Sequence, residues 1–344
     1  MIMSKLQSLK YLLLLLLISV YRLINCYVEP DLDSGWDDDA ETIYGNQMMY
    51  IAKQSRTNKD SIMSIATFPT ENVSYFVGTG GLGDDDNNTI ISDFVKNLDG
   101  INLQWEPSTF TTFLKYLPSA KHYIDIGTWI GPTLFFATQL VPFSLGIEAD
   151  PSAFAYVSYN LALNRNRRWS EHTHLLSAAV GVGSDVSTTP VQMSMLTSQP
   201  GNSCSGVGKV IITCGNNNSE KLFRWKVNAY SIPSIMHTYN IPSKRTTFIK
   251  LDVESFECQL LPSWMHWLSQ LGSNKPTLYI SFHSQIVSCS NEEYTAIADV
   301  AKMYRKISCE KYDIDSPCLS EDQSNWALDT GTAIFTDLHS HIEL

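Results

Sequence analysis

Asp125 closes a short apolar run and is followed by Gly127 and, four positions later, by Gly131 and Pro132, in the stretch YIDIGTWIGPT. A second acid, Glu148, ends another apolar run, SLGIEAD, 23 residues after Asp125, and Asp150 follows it. Dinucleotide folds use G-x-G-x-x-G, so that a pyrophosphate can approach the backbone at a helix start. The spacing here is G-x-x-x-G with an acid in front, which disfavours a phosphate anion. A carboxylate at that junction suits a ligand carrying an ammonium or sulfonium charge, and free amides at the helix start can receive a carboxylate. An acid ending the next strand is where ribose hydroxyls are held in nucleoside-binding α/β sheets.

A nucleoside joined to a cationic amino acid meets all three demands, and S-adenosylmethionine is such a ligand. For Asp125 and Glu148 taken singly, the plain alternative is helix capping or a solvated strand end. The pair, on consecutive predicted strands, points to the ligand.

The elements that position these acids follow from periodicity. HYIDIG and SLGIEAD read as strands, and PSAFAYVSYNLALN reads as a helix with Asp150 as N-cap and Pro151 as first residue. HLLSAAVG is a third strand, TTFIKLDV a fourth and TLYISFH a fifth. ESFECQLLPSWMHWLSQL is helical with a break or restart at Pro262, NEEYTAIADVAKMYRK is a helix, and TAIFTD is a late strand. Alternating strands and helices imply an α/β sheet with right-handed crossovers. The stretch from about Ser184 to Asn228, rich in Ser, Gly, Asn and Thr, reads as a hairpin-like insertion between the third and fourth strands.

YIDIGTWIGPT, GIEADPSAFAYVSYNLALN and FIKLDVESFECQLL together resemble the FkbM family of S-adenosylmethionine-dependent methyltransferases. The resemblance covers roughly residues 105 to 285, and the series Lys250, Asp252, Glu254 and Glu257 is its most specific part. It implies a Rossmann-like class I methyltransferase fold, a mostly parallel seven-stranded sheet carrying the insertion between its third and fourth strands. By that likeness Asp125 and Gly127 line the methionine end of the cofactor, with Gly131 leading into the helix. Glu148 takes the ribose with Asp150 beside it, and Glu106 in WEPSTFTTFL matches the acid upstream of the first motif. Asp252 and Glu254 are then expected near the methyl group.

The implied reaction is methyl transfer to a hydroxyl oxygen of a glycan or small molecule. Asp252 and Glu254, with His283, form the catalytic set, because a neutral imidazole suits general-base work near neutral pH. Asp252 and His283 are expected on strands adjacent to the first. No metal is required by this chemistry. Trp129, Ser255 and Ser281 depart from the family's usual residues, which keeps open a second class: a catalytically inactive lumenal binding or scaffold protein. A nicotinamide-dependent enzyme is disfavoured by the glycine spacing.

At 344 residues with 44% apolar content, the chain can bury a sizeable core, and a formal charge of −11 argues against nucleic-acid partners. Residues 1–26 carry Lys5 and Lys10, an apolar run and Arg22, the pattern of a signal peptide or of a short signal anchor that would tether the protein to a membrane. Losing that segment removes three basic and no acidic residues and takes the charge to −14.

Six cysteines then remain, an even number with fifteen pairings open; Cys204/Cys214 and Cys309/Cys318 are local candidates, leaving Cys258 and Cys289. With acceptor triplets at Asn72, Asn87 and Asn217, the cysteines place the protein in the secretory pathway. Residues 27–104 are expected to form an N-terminal extension with acidic linkers at 29–41 and 78–89, and residues 105–344 the methyltransferase domain.

Overall fold

The computed structural model describes residues 37–39, 42, 44–46, 48–49, 64–68, 73–77, 106–182, 189–195, 206–207, 223–253, 256–282, 289–310 and 331–338. Seven strands form the main sheet, in the order β13 (Lys306–Glu310), β14 (Gly331–Thr336), β12 (Thr277–Phe282), β11 (Thr247–Leu251), β4 (His122–Ile126), β5 (Ser144–Glu148) and β6 (Thr173–Ser177). All neighbours are parallel except β14, which runs antiparallel to both β12 and β13. The chain proceeds outward from β4 through β5 to β6, then returns to place β11 on the other side of β4. That reversal puts the topological switch point between β4 and β11, where open α/β sheets bind ligands beyond the strands' carboxyl ends. This is the Rossmann-like class I methyltransferase fold. His283 follows β12, which pairs with β11 and not with β4, so its strand lies one place further from the first strand than expected.

Alternation of side chains across the sheet explains both layers and the site. Ile124, Ile126, Ile249, Leu251, Leu278 and Ile280 face one side, against α4 (Ile232–Thr238), α5 (Glu257–Ser263), α6 (Met265–Gln270) and α7 (Asn291–Lys302). Tyr123, Phe248, Tyr279 and Ile334 face the other, against α1 (Pro107–Tyr116), α2 (Pro132–Ala137) and α3 (Pro151–Leu163). Phe113 of α1 meets the Tyr123, Phe248 and Tyr279 rings at centroid distances of 5.5, 5.6 and 5.4 Å. Asp125 and Lys250 occupy the same phase as these aromatics, directly opposite one another in the β4–β11 ladder. A charged pair is thereby forced into the α1 layer.

Helix α3 begins as its sequence demands: Asp150 accepts from the Ser152 and Ala153 amides, and Pro151 occupies the first turn. The expected helix around Pro262 is divided into α5 and α6, with Trp264 between them. Helix α7 carries a full capping box from Ser290 and Glu293. Cys258, in the first turn of α5, is bonded to Cys289, just ahead of α7, across 31 residues of sequence. Both lie beyond the carboxyl ends of adjacent strands.

HLLSAAVG is not one strand. It divides into β6, in the main sheet, and β7 (Ala179–Val180), which joins an accessory sheet with only Ala178 between. That sheet has the order β1 (Asp37–Asp39), β10 (Phe223–Tyr230), β8 (Thr189–Met195), β9 (Gly206–Val207), with β7 parallel to β10. The insertion is therefore a hairpin of β8 and β10, as its composition implied, and it runs two residues beyond Asn228. The acidic stretch 29–41 contains a strand where a solvated linker was expected, because Asp37–Asp39 pair with Arg224–Lys226.

The hairpin of β2 (Ser64–Phe68) and β3 (Val73–Val77) packs Val73, Tyr75 and Val77 into the core under α2 and α3. Asn164 clips it in place: its side chain accepts from the Phe76 amide and donates to the Phe76 carbonyl, both at 2.8 Å. Glu254, Ser255 and His283 lie outside the described residues, as do Cys204, Cys214, Cys318, the three acceptor asparagines, residues 1–36 and residues 78–89. Among the described residues no helix is long and apolar enough to cross a membrane.

Candidate functional site

Gly127 turns the chain off β4 at φ 78°, and a Cβ there would lie 1.7 Å from the carbonyl oxygen of Asp252. Only glycine fits such a position, so the loop after β4 rests directly on the residue that follows β11. Asp252 returns the contact by donating its amide to the Ile126 carbonyl at 3.0 Å. Gly131 also has a positive φ, 97°, and a Cβ there would meet Phe135 and Val157. It caps α2, whose six residues begin with Pro132, so the run of free amides expected at that helix start is shortened by one.

Asp125 is fully buried. Its Oδ2 accepts from Tyr123 at 3.0 Å and Thr133 at 2.7 Å, and its Oδ1 lies 3.3 Å from Lys250 Nζ. Lys250 Nζ also lies 2.9 Å from Oδ2 of Asp252, the more open of the two acids, with 19% of its side chain exposed. Glu106 adds its field to the same ammonium. It caps α1 in a left-handed conformation, φ 43°, that is costly for a residue with a side chain, and it accepts from Thr109 at 3.0 Å. Thr109 in turn hydrogen-bonds the Tyr279 hydroxyl.

Burial pulls the Lys250 ammonium toward neutrality, but the carboxylates of Asp125, Asp252 and Glu106 outweigh it and hold the charge firmly. Burial also pushes the Asp125 carboxyl up, against Lys250, Thr133 and Tyr123 pulling it down. Three carboxylates thus share one buried cation.

Glu148 ends β5 with both oxygens engaged by backbone amides: Oε2 by Trp129 at 2.7 Å and Oε1 by Asp150 at 2.8 Å. Burial and the Asp150 carboxylate push its carboxyl up to about 7, against the amides of Asp150, Trp129 and Ala149. Trp129 offers its amide from a left-handed conformation, φ 52°. Asp150 is itself raised by burial; its Oδ1 caps α3, while Oδ2 is buried without a hydrogen-bond partner among the described residues. A buried carboxylate oxygen with spare capacity calls for a donor.

The structure therefore brings Glu106, Asp125 and Asp252 together around Lys250, and Glu148 and Asp150 together one strand away, with Gly127 between the two groups. Lys250 was named in the sequence only as part of a motif, although a lysine at an inward position of an otherwise apolar strand demands a buried partner. Tyr123 and Thr133 carried no such signal. Among the described residues no cluster of His, Cys, Asp and Glu is arranged to hold a metal ion.

Neither a protein-family model nor a curated protein sequence matches the chain. Solved structures similar to it include the methyltransferase FkbM of Methylobacillus flagellatus KT, with 14% identity and a TM-score of 0.34 over 74% of this chain; the chain spans 56% of that protein's length. An O-methyltransferase of Bacillus cereus in complex with SAH matches at 10% identity and a TM-score of 0.36, over 67% of this chain and 81% of that one. A putative O-methyltransferase of Klebsiella pneumoniae matches at 12% identity and 0.35, over 68% and 81%. The strand order, with β14 antiparallel between β12 and β13, defines the fold.

Proposed function

We propose that this chain is an S-adenosylmethionine-dependent methyltransferase, FkbM-like in kind, that methylates a hydroxyl of a glycan or small molecule in the secretory pathway. One observation carries the reading. Three adjacent parallel strands, β5, β4 and β11, deliver Glu148, the Gly127 turn and Asp252 to one edge of the sheet at its switch point.

The acceptors present fit the cofactor. Glu148, with Asp150 beside it, would accept from the ribose hydroxyls, and the Gly127 turn lets the loop after β4 close on Asp252 beside the ligand's bed. The excess carboxylate of the Lys250 cluster faces the cationic end. Bound there, the cofactor supplies a methyl group made electrophilic by its sulfonium. Asp252 would orient the acceptor hydroxyl and take its proton, leaving the oxygen free to accept the methyl group that the bound cofactor would supply. Glu254 and His283 are assigned supporting roles by sequence position. The leader at 1–26 and the Cys258–Cys289 disulfide support an oxidising compartment.

Calorimetry of the purified protein with S-adenosylmethionine and S-adenosylhomocysteine tests the cofactor, and labelled methyl transfer to secreted or cell-surface glycans tests the reaction. Absence of binding would falsify the proposal. Tight binding without transfer to any acceptor would replace it with the scaffold reading.

A further inference from the structure

The accessory sheet reaches the nucleoside side of the proposed site through Trp225. This residue of β10 is fully buried, and its ring sits in a cluster with Ala179, Met193, Val227 and Ala229, against which Ala149 packs. Its indole N–H donates to the carbonyl of Ala149 at 3.0 Å. Ala149 lies between Glu148 and Asp150.

The consequence follows from the rigidity of one peptide group. The Ala149 carbonyl and the Asp150 N–H belong to the same planar unit and move together. Trp225 holds the carbonyl end, and Glu148 Oε1 holds the N–H end at 2.8 Å. The segment's other anchors include bonds from the main sheet, from the loop after β4 and from α3: the Ala178 amide donates to the Glu148 carbonyl at 3.0 Å, the Trp129 amide to Glu148 Oε2 at 2.7 Å, the Phe154 amide to the Asp150 carbonyl at 2.8 Å and the Ser152 amide to Asp150 Oδ1 at 2.7 Å. None of these engages the carbonyl or the N–H of the 149–150 peptide. Trp225, supplied by the insertion, does.

We propose that Trp225 is a positioning residue for the nucleoside end of the ligand, fixing through the Ala149–Asp150 peptide the carboxylate that Glu148 presents. The inference rests on the reading of Glu148 as the ribose-binding acid. It gives the insertion a role in cofactor affinity that nothing in its Ser- and Gly-rich sequence announces.

Trp225→Phe keeps the ring in the cluster and removes the N–H. In calorimetric titrations of the full-length protein, this variant should bind S-adenosylhomocysteine and adenosine about 5–10-fold more weakly, by the same factor for both, the net worth of one buried hydrogen bond. The midpoint of the pH dependence of affinity should also move upward, because the Asp150 amide is one of the groups that hold the Glu148 proton affinity down. Asp150 is the charged group acting on Glu148, and it is unchanged in the variant. A residue that served packing alone would lower the melting temperature and leave both readouts in place.

Equal affinities and an equal midpoint in a folded Trp225→Phe protein overturn the inference, as does a loss confined to S-adenosylhomocysteine with adenosine unaffected. Should that variant not fold, Met193→Ala, which loosens Trp225 against its cross-strand neighbour, is titrated in the same way, and unchanged affinity again overturns it. Failure of the wild-type protein to bind either ligand overturns the methyltransferase reading itself, and this inference with it.

Discussion

The ammonium of Lys250 lies 3.3 Å from a carboxylate oxygen of Asp125, and both residues are closed off from solvent. Removing one partner of such a pair strands the other, which costs about 3–5 kcal/mol. Lys250→Met should therefore be strongly destabilising in denaturant melts, and adding Asp125→Asn should recover much of the loss. The sign with pH follows from Asp125, whose carboxyl is already raised by burial. A raised acid stabilises the fold at low pH and loses that contribution as pH climbs through its folded value. The Lys250→Met deficit should grow from acid toward neutral pH, and the double variant should not show that growth.

Glu148 gives a second pH signature. Its carboxyl is raised from 4.5 to about 7, so the folded state holds a proton that the unfolded chain has released. Its contribution to stability is present below about 4.5 and is lost as pH rises to about 7, an amount on the order of 3 kcal/mol. Hydroxyl donors prefer the ionised form, so affinity for S-adenosylhomocysteine should rise with pH toward a plateau above about 7, close to tenfold per pH unit below it. Glu148→Gln should flatten both profiles and weaken binding by roughly 1–3 kcal/mol.

Asp252→Asn separates binding from chemistry. Once an acceptor is found, turnover should fall about 10²–10⁴-fold, the scale of general-base help from one positioned group, while cofactor affinity stays near the wild-type value. Normal turnover would make Asp252 a structural partner of Lys250 and send the search for the base to Glu254 and His283.

Gly127→Ala tests the contact between the two strand ends. The left-handed backbone alone costs roughly 1–2 kcal/mol with a side chain present, and the added methyl meets the Asp252 carbonyl. Loss of S-adenosylhomocysteine binding should exceed the loss of stability, because the loop must move away from β11. A variant that binds normally would show that the turn is not part of the ligand's bed.

Opening the Cys258–Cys289 bond should lower stability by about 4 kcal/mol in the chain-entropy account, given its 31-residue separation. Denaturant melts of Cys258→Ser/Cys289→Ser, compared with the wild-type protein under reducing and oxidising conditions, check this. A midpoint insensitive to reductant would mean that the bond adds nothing to the fold.

The main sheet was readable because its strands are apolar runs bounded by turn residues, and because Asp150–Pro151 announces the start of α3. The break in HLLSAAVG was not, since a single serine in a strand-like run carries no mark of a passage from one sheet to another. Strand β13, KISCE, and the acidic β1 owe their form to the neighbours they pair with, β14 and β10. In the site, acids at strand ends were found by position alone. Lys250, Tyr123 and Thr133 were harder, because their importance lies in a partner on another element, and a single sequence does not display such pairs. Cys258 and Cys289 were what local pairing left over, and the fold brings them together beyond two neighbouring strands.

Because β7 and the end of β10 lie side by side, with Ala179 opposite Ala229 and Val180 opposite Tyr230, the insertion leaves and re-enters the domain through one doorway. Its two stalks are held together whatever lies between them, so the entropy of closing the excursion depends only weakly on its length. The segment between Met195 and Phe223 lies outside the pairing of β10 with β7 and β8, whereas Trp225 lies within it. The protein can thus exchange the outer part of this excursion, as a tool holder exchanges tools, without renegotiating the sheet that carries it.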